Sequence, residues 1–128
     1  MKRTLIGLCL VAAMIAAGCT RRGGNCADPG GTIKVGVYGD LTGQTSSFGQ
    51  STRNGAQMAA DEINAAGGIN GRQVQLIHED DQGEPGKAAT VVAKLINQDQ
   101  VRALIGEVAS SNSIAAAPNA QEAKVPMI

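Results

Sequence analysis

The sequence predicts an α/β fold, a doubly wound open parallel sheet built from residues 32–128. Three observations carry that prediction. Short apolar strands alternate with amphipathic helical stretches three times, and a fourth strand begins at the end. The connections between them are short and rich in Gly, Asn and Pro. Strands separated by helices on such connections form parallel sheets with right-handed crossovers.

The elements follow in order. Ile33, Val35 and Val37 alternate along a first strand ending near Gly39, the period-2 pattern of a strand. A helix is expected from about Gln50 to Ala66, with Ala56, Ala59, Ala60 and Ile63 as its core-facing stripe. Their i, i+3, i+4, i+7 spacing is that of a buried helix face, and the small alanines let the helix lie close to the sheet. Gly67-Gly68 supplies a left-handed exit and Asn70-Gly71 a tight turn. Gln73 to Glu79 is the second strand. Pro85 suits a first helical position, and Ala88, Val91, Val92 and Leu95 repeat the apolar stripe. Val101 to Gly106 is the third strand, Ser111 to Ala123 the third helix, and Val125 to Ile128 the start of a fourth strand. Pro118 falls inside the third helix and has no N–H to offer Ile114, so a bend is expected there.

In a doubly wound sheet the first and third strands lie side by side, and the helices that follow them cover opposite faces. A crevice then opens at the carboxyl ends of those two strands, where ligands bind. The loops at that place are Asp40 to Gly49 and Glu107 to Ser113.

The N-terminus reads as a targeting segment. Met1-Lys2-Arg3 is basic, Thr4 to Ala17 carries no charge, and Ala16-Ala17-Gly18 leads into Cys19. That order fits a lipoprotein signal peptide over 1–18, with Cys19 lipidated after cleavage. The alternatives are an ordinary signal peptide or an uncleaved anchor. Residues 19–31 hold breakers and no apolar period, as in a flexible tether. Arg21 and Arg22 are read as solvated. Cys9 leaves with the signal and Cys26 stands alone in the tether, so no disulfide framework or metal site is expected. Two of the eleven basic residues lie in 1–18, leaving nine against eleven acidic ones in the mature chain. So even a balance gives no electrostatic case for nucleic acid.

The crevice loops carry the candidate ligand residues. The first holds Thr42, Thr45, Ser46 and Ser47 but lacks a Gly-Lys-Ser/Thr ending, and Gly36, Gly39 and Gly43 miss the dinucleotide spacing. Nucleotide binding is therefore disfavoured. Phe48, the one phenylalanine, stands at the loop's end where the helix begins and can pack that helix against the core, which does not preclude a second role. In the second loop, Ala109-Ser110-Ser111-Asn112-Ser113 opens a helix. Its serines can cap backbone N–H groups, or those groups with a serine hydroxyl can seat an anion. Glu107 is read as a solvated loop carboxylate rather than a partner for a ligand ammonium. Glu79-Asp80-Asp81 is read as facing water rather than holding a cation. His78 has no nucleophile beside it and is given a structural role. With no nucleophile–base pair or cofactor motif, the chain is not read as an enzyme and no cofactor is expected.

The segments G-D-L-T-G-Q-T-S-S-F-G (39–49) and A-A-D-E-I-N-A-A-G-G-I-N-G-R-Q-V (59–74) resemble the extracytoplasmic binding proteins of branched-chain amino acid ABC importers, and matches continue to Lys124-Val125-Pro126-Met127-Ile128. The resemblance implies a two-lobed protein that closes on an amino acid or similar small carboxylate and delivers it to permease subunits. This sequence would supply an incomplete first lobe of it, lipid-anchored outside the cytoplasm, in the periplasm or at the cell surface. It also implies ligand contacts at Phe48, Ala109, Ser110 and Ser111, with Ser110 the best match for the serine that holds the α-carboxylate. Asp40 replaces a proline common before L-T-G, which is expected to loosen that loop. Gly83 and Ala109 stand where some members carry cysteines, so that disulfide is absent. A ligand-sensing receptor module with the same fold is the alternative function, and an α/β enzyme a more remote one.

Overall fold

The computed structural model describes residues 31–128. The expected signal peptide 1–18, the lipidation of Cys19 and the tether as far as residue 30, including Cys26, lie outside the described residues. The elements are β1 (Ile33–Gly39), α1 (Ser46–Ala65), β2 (Val74–Asp80), α2 (Pro85–Asn97), β3 (Ala103–Ile105) and α3 (Ser110–Ala123). All strand pairs are parallel, in the order β2-β1-β3 with β1 central. The fourth strand is present as one parallel bridge, Leu104 to Met127, on the side of β3 away from β1. Leu104 N–H donates to the Pro126 carbonyl at 2.9 Å and Ile128 N–H to the Leu104 carbonyl at 3.0 Å.

Side chains alternate across a strand, so neighbouring residues of β1 serve different faces. Tyr38 joins Leu104 of β3 with Ala88, Val92 and Leu95 of α2 and Ala116 and Ala120 of α3 in one buried cluster. Gly106 sits against the Tyr38 ring so closely that a Cβ there would come within 2.0 Å of it. Val37 turns to the other face, the side on which α1 lies against β1 and β2. α1 and α3 therefore flank the sheet from opposite sides, as a doubly wound topology requires.

Local signals explain the turns. Gly67 and Gly68 take φ of +100° and +77° at the exit of α1, and Asn70-Gly71 (φ 53° and 80°) close a tight turn with Ile69 and Arg72 paired across it. Pro85 is the first residue of α2, where its missing N–H costs nothing.

Three expectations need correction. α1 begins at Ser46, not Gln50, so Phe48 lies in its first turn. β3 is shorter than Val101–Gly106, because the Val101 amide is taken by the Leu95 carbonyl at the end of α2. The core-facing stripe of α1 is also rotated. Ala60 is buried, but Ala59 is exposed and Ile63 is 38% exposed. Asn64 faces the sheet instead, accepting from Val74 N–H at 2.7 Å and donating to Val74 C=O at 2.8 Å. A polar side chain that satisfies both backbone groups at the start of β2 outcompetes an isoleucine for that place.

Candidate functional site

The loops after β1 and β3 emerge side by side from the carboxyl edge of the sheet, as the topology predicts. Acidic side chains build the floor beneath them. Asp40, at the end of β1, is 1% exposed. It accepts from Gly43 N–H at 2.5 Å, Thr45 N–H at 2.8 Å and the Thr45 hydroxyl at 2.6 Å. The expectation that Asp40 loosens this loop is thus overturned: its carboxylate closes the loop on itself through three donors. Asp80, at the end of β2, binds the same loop from the other side, through Leu41 N–H at 2.9 Å and the Thr42 hydroxyl at 2.6 Å. The start of α1 then packs tightly on β1, since a Cβ on Gly49 would lie 2.0 Å from the Asp40 carbonyl oxygen.

The remaining acids at this edge were expected in water and are not. Asp81 is fully buried, with Oδ1 accepting from Gly83 N–H at 2.9 Å and Oδ2 without a partner among the described residues. Glu79 pairs with Lys94, which also reaches Asp99. Glu107 is only 8% exposed. Its Oε2 accepts from Ala109 N–H at 2.8 Å, and its Oε1 from Asp40 N–H at 3.4 Å. For Asp40, Asp80, Asp81 and Glu107 the physical reason is shared. Loops at a sheet's carboxyl edge leave backbone N–H groups that need acceptors, and acidic side chains supply them. His78 is half-buried, with Nδ1 lacking a partner among the described residues.

Titration follows these surroundings. The Thr45 hydroxyl, and then the Thr45 and Gly43 amides, hold Asp40 below the usual carboxylate range against the burial that opposes them. Burial alone would raise Asp80, but the Thr42 hydroxyl with the Leu41 and Gln82 amides brings it below the usual range. Asp81 is raised, chiefly by burial, and further by the charges of Glu107, Asp40 and Asp80. Burial lowers His78, helped by Arg53. Burial also raises the Tyr38 phenol, whose hydroxyl lies 3.3 Å from Met127 Sδ.

Each ligand residue that the sequence nominated stands at this edge. Phe48 is 59% exposed in the first turn of α1, outside the core cluster, so the core-packing alternative does not hold. Ala109 is the N-cap of α3 and is half-buried; Ser110 and Ser111 are its first two helical residues and are exposed. The N-cap residue, an alanine, supplies no side-chain cap to α3. The capping alternative for these serines is therefore not realised: Ser113 turns back to the Glu107 carbonyl at 2.9 Å, and Ser111 lies 3.4 Å from Asn112 Oδ1. Asn112 is fully buried, its Nδ2 lacking a partner among the described residues. Sequence reasoning missed Asp40, Asp81 and Glu107 as loop-builders. The available signal was their position, each within two residues of the carboxyl end of a strand. Among the described residues, no three His, Cys, Asp or Glu side chains converge as a metal site, and no helix is long and apolar enough to cross a membrane.

An open parallel sheet with its first and third strands side by side and helices on both faces belongs to the doubly wound α/β class. The particular family is that of the periplasmic binding proteins: residues 32–128 match it, and the chain belongs to it. This is a family of binding proteins rather than enzymes, and membership implies an extracytoplasmic location. The chain is 42% identical over 93 residues to an amino acid binding protein of Pseudomonas aeruginosa, covering 73% of this chain and 25% of the relative. It is 37% identical over 81 residues to the Leu/Ile/Val-binding protein of Escherichia coli, covering 63% and 22%. Among solved structures, the branched-chain amino acid transporter substrate-binding protein LivJ from Streptococcus pneumoniae, in complex with isoleucine, superposes with a TM-score of 0.73. The two share 41% identity over 75% of this chain and 28% of that one. The leucine-binding protein LivK from Thermotoga maritima gives 0.68 and 38%, over 75% and 27%. The chain thus spans about a quarter of the length of the relatives it matches.

Proposed function

We propose that this chain forms part of the first lobe of a lipid-anchored substrate-binding protein that captures a branched-chain amino acid, or a similar small carboxylate, for an ABC importer. The observation that carries the reading is the start of α3. Ser110 and Ser111 are exposed in its first turn, its N-cap alanine supplies no side-chain cap, and it opens beside β1 at the carboxyl edge of the sheet. Backbone N–H groups at a helix start carry partial positive charge and favour an anion. A ligand α-carboxylate bonded to the Ser110 hydroxyl and these amides would sit against Phe48 across the crevice, with the apolar side chain directed away from the acidic floor. The names of the relatives support the amino-acid assignment. Lipid attachment at Cys19 and delivery to permease subunits complete the proposal, on the order of residues 1–19 and on the family.

Calorimetric titration of the full-length protein with leucine, isoleucine and valine tests this reading. Micromolar binding of at least one, with no turnover of simple esters, is expected. Saturating concentrations of all three with no heat and no shift in melting temperature would contradict it. Intact mass of the membrane-extracted protein checks the anchor: the expected mature chain starts at Cys19 and carries lipid.

A further inference from the structure

Glu107 lies where the two crevice loops meet, and it engages both. Through Oε2 it accepts from Ala109 N–H at 2.8 Å, and through Oε1 from Asp40 N–H at 3.4 Å. Its own carbonyl accepts from the Ser113 hydroxyl at 2.9 Å. One nearly buried residue therefore fixes the first loop where it leaves β1, the second loop at the N-cap of α3, and the first turn of α3 itself. Neither neighbour in the chain can substitute for it, since Gly106 has no side chain and is pressed against Tyr38, and Val108 is exposed. The chemistry demands a carboxylate. Two backbone donors converge on two oxygens, and a glutamine would give one acceptor while turning an NH₂ group toward the other donor.

We propose that Glu107 is a positioning residue for the ligand seat: by tying Ala109 to Asp40, it sets the distance and direction of Ser110 relative to the first loop. The proposal deepens, and rests on, the reading of Ser110 as a carboxylate contact. It has a second consequence for that seat. The Ala109 amide is already occupied by an anion, so an incoming carboxylate is turned toward the next amides and the Ser110 hydroxyl. The negative charge alongside disfavours a ligand that brings a second carboxylate to this end of the crevice. Monocarboxylate amino acids are the class that fits.

The test uses the full-length protein and two readouts. Glu107→Gln is expected to speed hydrogen exchange at the Ala109 and Asp40 amides by at least about tenfold, leaving the Val37 and Ile77 amides unchanged. The same substitution should weaken leucine binding by about tenfold or more. In a Ser110→Ala background it should change affinity by less than about threefold, because a residue acting through Ser110 has little left to position. Glu107→Asp serves if the glutamine variant folds poorly. This shorter carboxylate can still reach Ala109 two residues on but not Asp40, so only the Asp40 amide should exchange faster. Fully additive effects of the two substitutions on affinity would overturn the positioning role, and so would wild-type exchange at both amides. If the wild-type protein takes up none of the three amino acids, the functional reading falls. Amide exchange then decides alone whether Glu107 ties the loops.

Discussion

Three aspartates at the carboxyl edge of the sheet respond to pH in opposite senses. Asp40 and Asp80 titrate below the ordinary carboxylate range. Their stabilisation is present above the unfolded-state pKa and is lost as pH falls through their depressed values. Asp81 titrates above that range because burial disfavours its charge. Its contribution is present below the unfolded-state pKa and is lost as pH rises through the raised value. Asp81→Asn keeps an oxygen for Gly83 N–H and removes a charge from beside Glu107, Asp40 and Asp80. A melting temperature raised by a few degrees is expected at neutral pH, with the gain shrinking as pH falls through the raised pKa of Asp81 and the aspartate itself takes up a proton. Thermal melts across that range check this, and a lower melting temperature at neutral pH would show that the site needs the charge. None of this was legible in the sequence. Asp40, Asp80 and Asp81 look alike there, and what separates them is the number of donors each meets after folding: three, three and one.

Among the elements, α2 was readable and α1 only partly so. Ala88, Val92 and Leu95 of the expected stripe are all buried, because α2 packs both on the sheet and against α3 beside it. Among the described residues α1 lies against β1 and β2 with no helix packed closely on it, so its contact seam is narrow and one polar residue can redirect it. Asn64 does so through its two bonds to Val74. Asn64→Ala is expected to cost about 1–3 kcal/mol, since it leaves two partly buried backbone groups to find water. Urea unfolding followed by circular dichroism measures it, and a change indistinguishable from zero would mean that these bonds are replaced by water at no cost. The start of α1 offers a second test. Gly49→Ala would force a methyl into the Asp40 carbonyl oxygen and should destabilise by about 1–3 kcal/mol while shifting the first turn of α1, which carries Phe48. Alanine at the solvent-facing Gly55, which meets nothing within 4 Å, should instead stabilise slightly. The pair separates a packing role from helix propensity.

For the whole molecule, fold class and the place of the crevice followed from the sequence alone. The order of strands and helices dictates which loops meet at the edge, and the structure puts β1 beside β3 accordingly. The chemistry of the crevice followed less well. The serines could be nominated from position and Phe48 from the family resemblance, but the acidic floor depends on which backbone amides the folded loops leave unpaired. Function turns on whether an amino acid's carboxylate is seated at the start of α3, with Ser110 as a direct contact. Leucine affinity decides it, measured by calorimetry on the full-length protein and its Ser110→Ala variant, with melting temperatures of both as the control for folding. A loss of about 1.5–3 kcal/mol is expected, the range for a hydrogen bond to a charged group, with near-equal melting temperatures because the serine hydroxyl caps nothing. Equal affinity in the two proteins would remove Ser110 from the site and contradict that assignment.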